Sequence, residues 1–189
     1  MSNVISELNG ITSSGFATVT EAGLRGMVTL RGDLASPALA KAVKDATGCA
    51  IPAPSRIVLQ GDKGAAWMSP DELLILVRYA DAPVTAAALA AALSGEHALA
   101  ADVSDARATF TVAGSKADQV LRKLTPADLD SLAEGEIRRT RLAQVAGAFW
   151  RSAPEEFTLV TFRSVAAYVT GLLEFSAKSG TELEPALSH

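Results

Sequence analysis

The sequence predicts an α+β fold of two similar halves, each running strand, helix, strand, strand, strand, helix. The first observation behind this is the order of periodicities. Alternating or continuous apolar runs of strand length and helical stripes recur in the same succession before and after residue 100. The second is a residue correspondence at a nearly constant offset. Gly32 and Gly114 lie 82 apart, Trp67 and Trp150 lie 83 apart, and Pro70 and Pro154 lie 84 apart, so WMSPDELLILV runs beside WRSAPEEFTLV. The chain has only two tryptophans, and both fall on the repeat. The third is composition: 189 residues, 49% hydrophobic and 20% charged, can bury a core and suffice for one domain or two small ones. The elements are ferredoxin-like in order, and a repeat of this length implies two related units. The expected organisation is an N-terminal arm at 1–23, a first half at 24–96, a second half at 102–177 and a flexible C-terminal tail at 178–189.

Residues up to Gly23 are rich in Ser and Thr and read as an extended arm or an edge segment. In Leu24 to Arg31, Val28 and Leu30 share one face of a strand and Met27 and Thr29 the other. Ser36-Pro37 opens a helix, with Ser as N-cap and Pro at the first helical position; Leu39, Val43 and Ala46 form its apolar face, and Gly48 closes it. Strands follow at Arg56 to Gln60, Ala65 to Met68 and Leu73 to Val77, separated by turns at Gly61 to Gly64 and Ser69 to Glu72. An alanine-rich helix, capped by Asp81 and ended by Gly95, completes the first half.

The second half opens in DVSDARATFTVAGSKADQVLRKLTPADLD, Asp102 to Asp130. Thr109 to Val112 alternates as a strand and Gly114 ends it. Ser115 and Asp118 have capping-box spacing, and Ala117, Val120, Leu121 and Leu124 form a helical stripe stopped by Thr125-Pro126. Strands are expected at Ile137 to Val145, Ala148 to Arg151 and Phe157 to Phe162, with turns at Ala146-Gly147 and Ser152 to Glu156. A last helix is capped by Ser164, with Val165, Tyr168, Val169, Leu172 and Leu173 as its stripe.

A formal net charge of −4 and the lack of a long basic run exclude an electrostatic nucleic-acid footprint. The apolar run at residues 83–93 is far short of the ~20 residues a bilayer needs, and MSNVISELNG lacks the basic and apolar regions of a leader, so a cytoplasmic protein is expected. The single cysteine, Cys49, reads as a small buried side chain; a nucleophile would need a base, and only His97 is available. No metal-ligand spacing, phosphate loop, dinucleotide fingerprint or nucleophile elbow occurs, so no catalytic, cofactor-binding or metal residue is expected. The carboxylate pairs Asp71/Glu72 and Glu155/Glu156 lie in equivalent turns and read as solvated.

Arg139 and Arg141 share a strand face and Arg138 points the other way; the pair can grip a carboxylate or a partner, or simply guard an exposed edge. Trp67 and Trp150 read as packing residues at the sheet end, with ligand stacking as the other reading. Arg138, Arg139, Arg141, Trp67 and Trp150 are the expected partner contacts.

The stretch from Asp102 resembles the DVS…G-x-x-A…L…LTP-D segment of the folate-binding aminomethyltransferase (glycine cleavage T protein) family. The matching residues are Asp102, Val103, Ser104, Gly114, Ala117, Leu121, Leu124, Thr125, Pro126 and Asp128. Catalytic members carry an acidic loop between the positions of Arg138 and Arg151; RRTRLAQVAGAFWR has no acid. Over about Leu24 to Ala177 the chain is more similar to the gamma subunit family of heterotetrameric sarcosine oxidase. It shares the length, the VTLRGD and WMSPDELLIL segments and the R-S-x-A-x-Y entry at Arg163, Ser164, Ala166 and Tyr168. That resemblance implies the folate-binding-domain fold and a non-catalytic subunit that binds no cofactor itself. Its partners would be the alpha, beta and delta subunits, with FAD, FMN, NAD and tetrahydrofolate sites in those partners. The complex would convert sarcosine to glycine, release hydrogen peroxide and pass a one-carbon unit to tetrahydrofolate. A free-standing folate-binding protein related to the transferases is the second reading.

Overall fold

The computed structural model describes residues 6, 8 and 10–183. Eleven strands and four α-helices are assigned among them: β1 (Thr12–Ser14), β2 (Thr18–Glu21), β3 (Gly26–Arg31), α1 (Pro37–Thr47), β4 (Ile57–Gln60), β5 (Lys63–Ser69), β6 (Glu72–Val77), α2 (Ala82–Ala92), β7 (Leu99–Asp102), β8 (Arg107–Ala113), α3 (Ala117–Arg122), β9 (Ile137–Leu142), β10 (Val145–Ala153), β11 (Glu156–Phe162) and α4 (Ala166–Ala177). The expected succession is present twice, β3-α1-β4-β5-β6-α2 and then β8-α3-β9-β10-β11-α4.

The chain divides into two units. One comprises residues 24–107 and 135–139, and the other residues 1–23, 108–134 and 140–189. The first contains a five-stranded antiparallel sheet in the order β4-β5-β6-β3-β7. Val28, Leu30, Ala65, Leu73, Ile75 and Val77 on its strands pack with Leu39 and Val43 of α1 and Ala86 and Leu89 of α2. The other contains a six-stranded sheet in the order β1-β2-β8-β11-β10-β9. Its core joins Phe110, Val112, Phe149, Phe157 and Leu159 to Val120 and Leu121 of α3 and Val169 and Leu173 of α4.

In each sheet the strand that opens the half, β3 or β8, pairs on one side with a strand from outside the half. β7 precedes β8 in sequence but pairs with β3, and β2 precedes β3 but pairs with β8. The expected arm thus becomes β1 and β2 at the edge of the six-stranded sheet. β7 escapes sequence reading because LAAD is short and its small side chains show no alternation.

α1 follows its sequence signals: Ser36 Oγ accepts the Leu39 amide at 3.4 Å, and Gly48 closes the helix at φ 79°. The other expected caps are not used. Asp81 does hold the N-cap position of α2, but it ends a 3-10 turn (Tyr79–Asp81) and its carboxylate is taken by Arg78 Nε at 2.7 Å instead of a helix amide; α2 ends at Ala92, with Leu93 rather than Gly95 as its C-cap. Lys116, not Ser115, occupies the N-cap position of α3, and Asp118 pairs with Arg122 one turn along instead of closing a capping box. A 3-10 turn (Arg163–Val165) moves the start of α4 past Ser164; its buried stripe is Ala166, Val169, Thr170, Leu173 and Ala177, which leaves Tyr168 exposed.

The turn expected at Ala146-Gly147 lies instead at Ala143-Gln144, with Ala143 at φ 51°. Gly147 falls inside β10, where a Cβ would stand 2.8 Å from the Leu142 side chain. Of the tail, residues 184–189 lie outside the described residues. Before them, Leu183 N–H donates to Gln119 Oε1 at 2.8 Å and Lys123 Nζ donates to Thr181 Oγ1 at 3.0 Å.

Candidate functional site

The DVS motif works as a staple. Asp102 Oδ1 accepts from the Ser104 amide at 3.0 Å and its hydroxyl at 2.6 Å, and Ser104 Oγ accepts the Met27 amide at 3.0 Å. It fixes β3 against the segment that leads into β8, so the two strands deliver Arg31 and Arg107 from set positions.

Arg31, the last residue of β3, stands directly across the ladder from Glu72, the first of β6. Glu72 is 6% exposed, so it is not the solvated turn residue expected from sequence. A register skip between Trp67 and Ser69 twists the β5–β6 hairpin there, which turns Glu72 inward while Asp71 stays in solvent. Arg31 Nη2 donates to Glu72 Oε2 at 2.9 Å, and Arg139 Nη1 donates to the same oxygen at 3.4 Å. Arg139 also donates to the Met68 carbonyl at 3.2 Å. Half-buried Arg107 lies within the field of both: burial pushes its pKa down, Glu72 pulls it up and Arg139 pushes it down again. Hydrogen bonding to Glu72 raises Arg31, with the charges of Glu72 and Asp71 adding to it. Asp71 is held below the ordinary carboxylate value first by the Ser69 hydroxyl and then by Arg31, 3.9 Å away.

A surface cleft of roughly 630 Å3 opens beside Arg31, lined also by Gly32, Asp33, Pro70, Asp71 and His97. Cys49 is buried elsewhere, its thiol directed at the carbonyls of Thr47 (3.8 Å) and Val58 (3.7 Å), so the only cysteine and His97 do not form a nucleophile–base pair. Among the described residues no group of three or more His, Cys, Asp or Glu side chains could hold a metal ion.

The strand arginines are placed as follows. Arg139 grips Glu72, Arg138 Nη2 donates to Glu136 Oε2 at 3.0 Å, and Arg141 Nη2 donates to Gln144 at 3.2 Å. Glu136 also takes Arg56 at 3.3 Å. Sequence reading found Arg139 but missed Arg31, Arg107 and Glu72, because strand register and long-range packing, not local sequence, bring them to one place.

The tryptophans are not equivalent in the repeat. Gly32 N–H donates to the Asp71 carbonyl, and Gly114 N–H to the Glu155 carbonyl. The second hairpin skips register between Arg151 and Ala153, where the first skips between Trp67 and Ser69. The hairpins therefore superpose at an offset of 84 residues, so Trp67 corresponds to Arg151 and Trp150 to Ala66. Trp67 packs beside the helix-side core of its unit, and Arg151 lies over the Phe157 ring at 4.6 Å. Trp150 is 5% exposed and alternates with core residue Phe149, so it faces the other side of its sheet.

Known proteins agree with this architecture. A family model described as sarcosine oxidase, gamma subunit family, matches residues 31–178. Sarcosine oxidase subunit gamma of Corynebacterium sp. (strain U-96) is 30% identical over 176 residues, 88% of this chain and 82% of that protein. The same subunit of Corynebacterium sp. (strain P-1) is 32% identical over 123 residues, 63% of this chain and 60% of that protein. A chain of heterotetrameric sarcosine oxidase from Corynebacterium sp. U-96, solved in complex with pyrrole 2-carboxylate, has a TM-score of 0.80 at 24% identity, covering 93% of this chain and 91% of that one. Glycine cleavage aminomethyltransferase T from Bartonella henselae shares the fold with a TM-score of 0.61 at 12% identity, over 82% of this chain and 45% of that one.

Proposed function

The chain belongs to the sarcosine oxidase gamma subunit family, and from that premise we propose that it is a structural, non-catalytic subunit of a sarcosine-oxidising complex. The complex would demethylate sarcosine to glycine with release of hydrogen peroxide and transfer of a one-carbon unit to tetrahydrofolate. Alpha, beta and delta subunits would be its partners, and FAD, FMN, NAD and tetrahydrofolate would be bound by them. The observation that carries this reading is the fate of the chemistry-bearing side chains. Cys49 is buried in packing contacts, Glu72 is engaged by Arg31 and Arg139, and Glu136 by Arg56 and Arg138. The surface supports it too: Tyr168 (44% exposed) and Phe175 (74%) lie on one side of α4, and large exposed aromatics mark protein interfaces. No helix among the described residues is long and apolar enough to cross a membrane.

The test is co-purification. An affinity-tagged chain in its source cell should bring down two large flavin-bearing subunits, and the chain alone should be colourless and release no peroxide with sarcosine. Sarcosine-dependent peroxide from the chain alone, or purification without partners from cells oxidising sarcosine, overturns the reading. Tetrahydrofolate binding by the isolated chain would favour the free-standing folate-binding alternative.

A further inference from the structure

The cleft beside Arg31 is built where three segments of the five-stranded unit converge. Arg31, Gly32 and Asp33 leave β3, Pro70 and Asp71 form the β5–β6 turn, and His97, Ala98 and Leu99 lead into β7. The Gly32 amide donates to the Asp71 carbonyl at 3.0 Å, which ties the first two segments together. Leu99 stands across the ladder from Arg31 and is 56% exposed, so with Pro70 and Ala98 it gives the cleft an apolar wall. Each of the two lining carboxylates spends one oxygen on its own loop. Asp33 Oδ1 accepts the Ala35 amide at 2.9 Å, and Asp71 Oδ1 accepts the Ser69 hydroxyl at 2.5 Å. Those bonds hold the acids in place and leave their charges intact, with Oδ2 still able to accept. The one guanidinium in the lining, that of Arg31, has Glu72 as its close partner at 2.9 Å; Asp71 Oδ2 lies 3.9 Å from it, beyond hydrogen-bond reach. Among the described residues no Lys, Arg or His forms an ion pair with Asp33. Arg31 and Arg139 thus stand against Glu72, Asp71 and Asp33, two positive charges to three negative. Arg107 has a partner of its own and lies outside the lining.

We propose that this cleft receives a basic side chain, lysine or arginine, from a neighbouring subunit. The charge left over is negative, so the complementary occupant is a cation. The lining also asks for more than charge. The aliphatic stem of a lysine or arginine covers the apolar wall of Pro70, Ala98 and Leu99 while its charged head turns to Asp33 and Asp71, whereas a small inorganic cation leaves that wall bare. Ala35 and Ser69 already fix the two carboxylates in the free chain, so their rotamer freedom is not lost again on binding. A charged contact of this kind sets orientation and partner choice. The inference rests on the subunit reading and adds where, and by what chemistry, a partner is held.

The experiment measures association of the purified full-length chain with the remaining subunits, for wild type, Asp33→Asn, Asp33→Lys and Glu96→Gln, at low and high salt. Circular dichroism confirms that each variant is folded. Asn at 33 keeps an oxygen for the Ala35 amide, so the loop stays and only the charge goes. Asp33→Asn should weaken association by about threefold to tenfold, between the effect of an exposed ion pair and that of a desolvated one. Asp33→Lys, which reverses the charge, should weaken it further. The wild-type affinity should drop with salt more steeply than that of Asp33→Asn. Glu96 is an exposed acid next to His97 but outside the lining, so Glu96→Gln should change little. If wild type and Asp33→Asn assemble equally tightly with the same salt dependence, the cleft contact is wrong and the subunit reading survives. A loss from Glu96→Gln as large as that from Asp33→Asn also overturns the contact, because the effect is then one of overall charge. If the chain alone self-associates and Asp33→Asn abolishes it, the occupant is a second copy and the foreign-subunit assignment falls. If the wild-type chain does not assemble at all, the subunit reading fails and the cleft contact with it.

Discussion

Gly15→Ala and Gly171→Ala are the same chemical change and should move stability in opposite directions. Gly15 lies in the β1–β2 turn, where a Cβ would stand 2.8 Å from the Ala177 carbonyl carbon and closer still to its oxygen. That oxygen accepts the Phe16 amide at 2.9 Å, and Lys123 Nζ lies 4.8 Å from the centre of the Phe16 ring. The clash is with backbone, so the turn has to move away from the end of α4. The hydrogen bond contributes about 0.5–1.5 kcal/mol and the cation–π contact about 0.5–1 kcal/mol. Losing both should destabilise the unit by about 1–2.5 kcal/mol. Gly171 lies in the middle of α4 with nothing within 4 Å of a built Cβ. Alanine there restricts the unfolded chain and favours helix, a gain of about 0.5–1 kcal/mol. Each unit contains one tryptophan, so urea unfolding followed by Trp150 fluorescence in a Trp67→Phe background reports on the unit that both mutations touch. A Gly15→Ala change below about 0.5 kcal/mol would mean that the turn yields without losing either contact, and would refute the argument.

Two further outcomes are expected. Acrylamide should quench Trp67 more than Trp150 in single-tryptophan variants, because Trp150 is buried and Trp67 only partly so; equal quenching would contradict that difference in burial. Asp71, Asp81, Asp128 and Asp130 are held below the ordinary aspartate value, first by the hydroxyl of Ser69, the guanidinium of Arg78, the hydroxyl of Ser131 and the guanidinium of Arg122 respectively. Each contributes stability that is fully present above the unfolded-state pKa of 3.8 and is lost as pH falls through its lowered folded value. The thermal midpoint should therefore drop as the solution is acidified below that value, and a midpoint unchanged on acidification would show that these bonds do not form in solution.

The succession of elements was legible because each depends on local signals. Ser36-Pro37 and Gly48 punctuate α1, and the continuous apolar run from Leu73 to Val77 in β6 is buried throughout, as its composition demands. What depended on register was not legible. The tryptophans suggested an offset of 83, yet the skips after Trp67 and after Arg151 fix it at 84 and place the two rings on opposite sheet faces. Ser115, Asp81 and Ser164 carry the right chemistry for caps, but nearby arginines and 3-10 turns compete for the same positions. Glu72 looked solvated because a turn sequence cannot show which of two adjacent acids faces inward. Strand pairing sets Arg31 across from Glu72, while Arg139 reaches the same acid from β9, about a hundred residues of chain beyond Arg31, and only Arg139 was visible in advance.

The exchanged strands β2 and β7 bear on how such a chain is made. Emerging from the ribosome, β1 and β2 must wait until β8 has been synthesised, nearly ninety residues later, before their partner exists. At about 5–20 residues per second, that is a delay of several seconds. β3, by contrast, meets β6 soon after it is made, and β7, its other neighbour, is complete before β8 begins, so the five-stranded sheet is the first that can close. The exchange also bears on ancestry. If the halves arose by tandem duplication, each copy has handed its leading strand to the other, and a gene cut between them yields two fragments, neither carrying the strands for a whole sheet.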